Sequence, residues 1–145
     1  MSQKKVQEEI LATMQAWQKI ENAAVASTGQ VIEKTENPIV RLVMEIIQRD
    51  SQMHYRIQEF IADSVSTKTV TLTPEELGDV WGMIEQHIEL EKKTVALAQQ
   101  SLNALKGSKM VVQEYLLHYL LEDENKHNNI LKQLETIKKG MYPYG

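Results

Sequence analysis

Thr73-Pro74-Glu75-Glu76-Leu77-Gly78-Asp79-Val80-Trp81 opens a long amphipathic stretch and sets the reading of everything around it. A threonine followed by proline, with glutamate three positions on, is a helix start. The hydroxyl caps the first turn, proline suits the first helical position, and Glu76 completes a capping box. Beyond it Leu77, Trp81, Ile84, Ile88, Val95, Ala98, Leu102 and Leu105 return at intervals close to a helical turn. They end at Lys106-Gly107-Ser108, a glycine stop followed by a new cap. The spacing therefore predicts a helix over 74–106. Upstream, Asn37-Pro38 is another cap and first-turn proline. Working outward from these breaks, helices are expected near 4–34, 38–64, 74–106 and 109–138. Each would run about 40–50 Å at ~1.5 Å per residue. Such helices bury their apolar stripes only against one another, so the expected fold is all-α, a four-helix bundle over 1–139 with a tail at 140–145.

The links from the first helix to the second and from the third to the fourth are short and predict antiparallel hairpins. The middle link, Val65 to Leu72, differs. Its Thr67-Lys68-Thr69-Val70-Thr71-Leu72-Thr73 is a β-branched run that prefers extension. Eight to ten extended residues reach about 30 Å at ~3.3 Å each, enough for a crossover along the bundle. A relaxed up-down loop is the alternative, and length alone does not separate the two.

Composition narrows the function. The 145 residues are 42% hydrophobic and 25% charged, with a formal charge of −4 and no Lys/Arg-rich stripe, which argues against nucleic acid or an anionic membrane as partner. Without cysteine there is no disulfide, thiol catalysis, Cys-type zinc site or iron–sulfur cluster. No apolar run approaches the roughly 20 residues that span a bilayer. The opening Met1-Ser2-Gln3-Lys4-Lys5 has no signal-like apolar segment, so a cytoplasmic location is expected.

Polar residues stand where apolar ones belong. Glu21 falls within the first stripe, which runs Ile10, Met14, Trp17, Ala24, Thr28 and Val31. Asp50, with His54 one turn on, interrupts Ile39, Val43, Ile46, Met53, Ile57 and Phe60. Glu91, with His87 one turn before, interrupts the third stripe, and Asp123, Glu124 and His127 interrupt the fourth. All fall near mid-helix, where they meet whichever way the helices run. Five carboxylates (Glu21, Asp50, Glu91, Asp123 and Glu124) cannot stay ionised together in a core without cations, since each unpaired buried ion costs several kcal/mol. Asp50–His54 and Asp123–His127 also read as i,i+4 pairs that hold register with no metal. Glu85, Glu89, Glu122 and His118 fall off the stripes and read as solvated. Trp17 and Trp81 read as core filling, and Tyr115 and Tyr119 as packing or interface groups.

The chain repeats itself. Trp17-Gln18-Lys19-Ile20-Glu21 aligns with His87-Ile88-Glu89-Leu90-Glu91, and Arg49-Asp50-Ser51-Gln52-Met53-His54 aligns with Glu122-Asp123-Glu124-Asn125-Lys126-His127. Each helix pair thus supplies one acid followed by Asp-x-x-x-His, a pattern suited to a site on a pseudo-two-fold axis.

At these residues the chain resembles the ferritin-like di-iron carboxylate superfamily, nearest to rubrerythrin-like domains without their rubredoxin part. That family takes one Glu from each of two helices and Glu-x-x-His from each of the other two. The resemblance implies Glu21 and Glu91 as the single glutamates, His54 and His127 as the histidines, and Glu124 as a bridge. Asp50 and Asp123 would orient the histidines, and His87 would be an extra ligand or a donor to one. Ser51 stands where the second bridging glutamate belongs, and a hydroxyl is a poor ligand for a hard divalent ion. One metal position would then be weak, or Asp50 would substitute. The implied cofactor is iron or manganese, with zinc as a substitute on purification. The implied chemistry is redox, on O₂ or peroxide, with an electron donor that the sequence does not identify. A non-catalytic bundle that keeps the scaffold as a binding or assembly module is the alternative function. Uncovered outer faces carrying Val111, Tyr115 and Tyr119 predict a homodimer.

Overall fold

The computed structural model describes residues 2–67 and 70–141. Among them the chain is all-α. It comprises α1 (Gln3–Lys34), α2 (Pro38–Ser66), α3 (Pro74–Ala104) and α4 (Val111–Met141), with no strand among the described residues. Two compact units divide the chain, residues 1–71 and 72–145, and each is one of the hairpins that the internal repeat aligns. No helix is long and apolar enough to cross a membrane, among the described residues.

The caps act as their chemistry requires. Ser2 Oγ accepts from the Lys5 amide. Asn37 Oδ1 accepts from the amides of Ile39 and Val40, at 3.0 and 3.2 Å, with Pro38 in the first turn. Thr73 and Glu76 close a reciprocal capping box at 3.2 and 3.3 Å. Gly107, at φ 80°, takes the left-handed conformation that ends α3 at little cost. α3 ends at Ala104 and α4 begins at Val111, so this connection is longer than expected. Ser108 turns its hydroxyl back onto the Leu105 carbonyl at 2.7 Å and reaches only the Met110 amide ahead of it, at 3.5 Å. α2 continues to Ser66, so the first part of the expected crossover is helix. Lys68 and Thr69, in that link, lie outside the described residues. α4 continues through Gly140 to Met141, where a tail was expected, and residues 142–145 lie outside the described residues.

Within each hairpin the helices meet along a seam of residues spaced alternately three and four apart. In α1 it runs Leu11, Met14, Gln18, Glu21, Val25, Thr28, and in α2 Gln48, Ser51, Tyr55, Gln58, Ala62. Antiparallel pairing is fixed by two glutamines that reach across to backbone carbonyls, Gln18 Nε2 to Tyr55 at 3.4 Å and Gln48 Nε2 to Val25 at 3.2 Å. The second seam is more apolar. Leu77 and Trp81 are buried at its α3 end, with Ile84, Ile88, Val95 and Ala98 following. This seam corrects the stripes expected from apolar spacing alone. Trp17, Met53, Ile57 and Phe60 are about half exposed, at 48, 50, 49 and 59%. Seam positions between α1 and α2 instead go to Gln18, Ser51 and Gln58. Each helix carries an apolar arc wider than one contact line, so periodicity locates the arc without its seam.

Candidate metal centre

Glu21 and Glu91 occupy the same step of the two seams, and both are buried at 7% exposure. Their burial follows from helix geometry. A residue seven positions from a buried threonine or alanine on the same seam (Thr28 in α1, Ala98 in α3) faces the partner helix whatever its polarity.

In the second hairpin Glu91, Glu124 and His127 each offer a ligand atom, and these atoms lie within 4.8 Å of one another. His127 Nδ1 stands 3.5 Å from Glu91 Oε2 and 3.7 Å from Glu124 Oε2. On its other edge His127 Nε2 faces Asp123 Oδ2 at 3.4 Å. Asp123 is in turn bridged to Lys126 at 2.9 Å. Both ring nitrogens thus face carboxylates, Nε2 that of Asp123 and Nδ1 those of the two glutamates. His87 Nε2 lies 2.8 Å from Glu91 Oε1. Thr94 Oγ1 contacts both the Glu91 carbonyl, at 2.7 Å, and Glu124 Oε2, at 2.9 Å.

The two carboxyls are electrostatically unlike. Hydrogen bonding with Glu124 holds Glu91 below the usual carboxylate range, against the upward push of burial and with help from His87 and His127. The same interaction with Glu91, reinforced by burial, pushes Glu124 above it, while the Thr94 hydroxyl and His127 act the other way. The first proton the pair takes up therefore falls to Glu124 before Glu91. Oε2 of Glu91 is fully buried, and no hydrogen bond of good geometry reaches it.

The first hairpin carries a sparser version. His54 Nδ1 lies 3.3 Å from Glu21 Oε2, which is also buried without a hydrogen bond. Ser51, expected to face the cluster where Glu124 does, sits in the α1–α2 seam at 6% exposure. Asp50 is half-buried and, among the described residues, forms no ion pair with His54, so the expected i,i+4 pair is present only at Asp123–His127.

Several expectations are settled by placement. Glu85, Glu89 and Glu122 are exposed; Glu85 accepts from Trp81 Nε1 at 2.9 Å and Glu89 pairs with Lys92 at 3.0 Å. His118 is on the surface near Glu114, at 3.7 Å. Trp81 is core filling as expected and Trp17 is not. Thr94 is the group that sequence reading missed. It sits three residues after Glu91, and only that spacing, which puts it on a neighbouring face of the same turn, marks it.

No protein-family model, no curated protein and no solved structure matches this chain.

Proposed function

We propose that this chain is a metal-binding protein that holds iron or manganese through Glu91, Glu124 and His127. Its role would be redox-related, acting on a small oxidant such as O₂ or peroxide. The observation that carries this reading is the buried Oε2 of Glu91, which no hydrogen bond of good geometry reaches and which faces His127 Nδ1 at 3.5 Å within one cluster with Glu124. An ionised oxygen in that setting is costly to bury. A divalent cation there would be met by two carboxylates and one imidazole, a donor set suited to iron or manganese.

Bound there, such an ion would supply Lewis acidity and one-electron redox chemistry at coordination positions the three protein ligands leave open. The surrounding residues prepare the ligands. Asp123 places a carboxylate beside the imidazole Nε2, Thr94 steers Glu124, and the buried seam position of Glu91 restricts water around its carboxylate.

In its ferritin-like form the proposal extends to a four-helix bundle with a crossover between α2 and α3, in which Glu21 and His54 hold a second, weaker ion. The internal repeat supports that form. Double replacement Glu124→Ala/His127→Ala should abolish iron or manganese uptake by protein prepared without chelator, with helicity by circular dichroism unchanged. Equal metal content in the variant and the parent would defeat the site. A second reading, a non-catalytic assembly module, draws on exposed apolar residues such as Ile20, Met83 and Leu97, at 65, 70 and 61%. Metal stoichiometry near zero in the parent protein would favour it.

A further inference from the structure

The two hairpins agree at Glu21/Glu91 and at His54/His127, and they differ in what stands behind those groups. One turn before the glutamate, α1 has Trp17 and α3 has His87. In α3 the His87 imidazole reaches Glu91 Oε1 at 2.8 Å. With the ring proton on Nε2, that nitrogen donates and Oε1 accepts. That leaves Oε2, the buried oxygen facing His127 Nδ1. In α1 the indole of Trp17 is about half exposed, and Glu21 meets His54 through the same oxygen, Oε2, that is buried without a hydrogen bond.

We infer that His87 is a positioning residue, which engages one oxygen of Glu91 so that only the other is presented to a divalent cation, and that the second hairpin is in consequence the chain's strong metal position. The inference rests on the metal-binding reading above and deepens it.

The physical reason lies in the terminal torsion of glutamate. That torsion is broad and roughly two-fold, so an unrestrained carboxylate rotates between one-oxygen and two-oxygen contact. A hydrogen bond to one oxygen removes this freedom before the ion arrives, and preorganisation of this kind raises affinity without a new ligand. Glu124 is restrained in the same way by the Thr94 hydroxyl at 2.9 Å, and the Asp123 carboxylate lies beside His127 Nε2 at 3.4 Å. Every ligand in the second hairpin has a partner behind it. In the first hairpin Trp17 offers no bond to Glu21, Asp50 makes no ion pair with His54 among the described residues, and Ser51 replaces the bridging acid.

The experiment is a Mn²⁺ titration of the full chain, followed by the electron paramagnetic resonance of the free ion, for the parent, His87→Ala and His87→Gln. His87 has more than half of its side chain exposed, so both variants should fold, and circular dichroism of the metal-free proteins checks that their helicity equals the parent's. The parent should bind one Mn²⁺ per chain strongly. His87→Ala should weaken that binding by roughly 10–100-fold, the usual effect of removing a partner behind a ligand. His87→Gln, whose amide can donate to the same oxygen, should restore most of it. Pulsed measurements of nitrogen coupling should find one imidazole on the bound ion. Equal affinity in His87→Ala, or failure of His87→Gln to improve on it, would overturn the assignment. Two imidazoles in the parent would make His87 a ligand and overturn it as well. A parent that takes up no Mn²⁺ would bring down the metal-binding reading itself, and the inference with it.

Discussion

Glu91 and Glu124 carry opposite pKa shifts from one interaction, and this gives the metal-free protein a pH signature. Glu124 is raised, so its contribution to stability is fully present below its unfolded value and lost as pH climbs through the folded one. Glu91 is lowered, so its contribution is present above the unfolded value and lost as pH falls through the folded one. The pair is most favourable with a single proton, between the two folded values. Glu124→Gln replaces that proton by a permanent amide donor. Metal-free Glu124→Gln should therefore melt at or above the parent at neutral pH and lose less stability than the parent as pH rises above the usual carboxylate range. A melting point several degrees below the parent at pH 7 would show that Glu91 does not depend on this donor. At this scale the sequence was informative where residue types were incongruous. Glu91, Glu124 and His127 stood out as polar groups within apolar stripes, and His87 as a neighbour one turn away. Thr94 did not stand out, because a threonine in mid-helix usually bonds only the preceding turn, and its reach to Glu124 depends on the partner helix.

At the scale of elements, caps were the most legible feature because they are local chemistry. The capping box at Thr73 is one such case, and Thr73→Ala should cost about 1 kcal/mol of unfolding free energy in a denaturant titration. A change within error would mean that Pro74 alone sets the start of α3. The seams were less legible, because Gln18, Ser51 and Gln58 hold positions that apolar pattern-matching assigns to their hydrophobic neighbours. Ser51 is the informative one. It occupies in α2 the repeat position that Glu124 occupies in α4, at 6% exposure and on the same helix face as His54. Ser51→Glu adds a carboxylate to a seam already holding Glu21. Without metal it should destabilise the protein by about 3 kcal/mol or more, in line with the burial of an uncompensated charge. With Mn²⁺ or Fe²⁺ present the loss should be recovered and the metal stoichiometry should rise towards two per chain. Destabilisation that added metal fails to rescue would make the repeat architectural only.

For the whole molecule the governing quantity is apolar surface. A pair of helices buries one line of contact, and each hairpin taken by itself carries large apolar side chains beyond that line. On α3, Met83, Leu90 and Leu97 follow one another at intervals of seven and are 70, 55 and 61% exposed. At the start of α4, Val111 and Tyr115 are 73 and 55% exposed. Recurrent apolar positions of this kind call for a cover, which the other hairpin or a second chain would supply. Identical chains meet most often through a two-fold axis, where one patch faces its own copy. We therefore expect a homodimer that uses the Val111–Tyr115 face of α4, and light scattering of the parent at micromolar concentration should give twice the chain mass. Val111→Asp/Tyr115→Ala should lower that mass to one chain. Neither residue belongs to the proposed metal cluster, so Mn²⁺ uptake by Glu91, Glu124 and His127 should survive the change. A parent that scatters as a monomer would refute the dimer. A variant that stays dimeric would move the interface to another face, with the heptad-spaced Leu90 and Leu97 as the next pair to replace by glutamate.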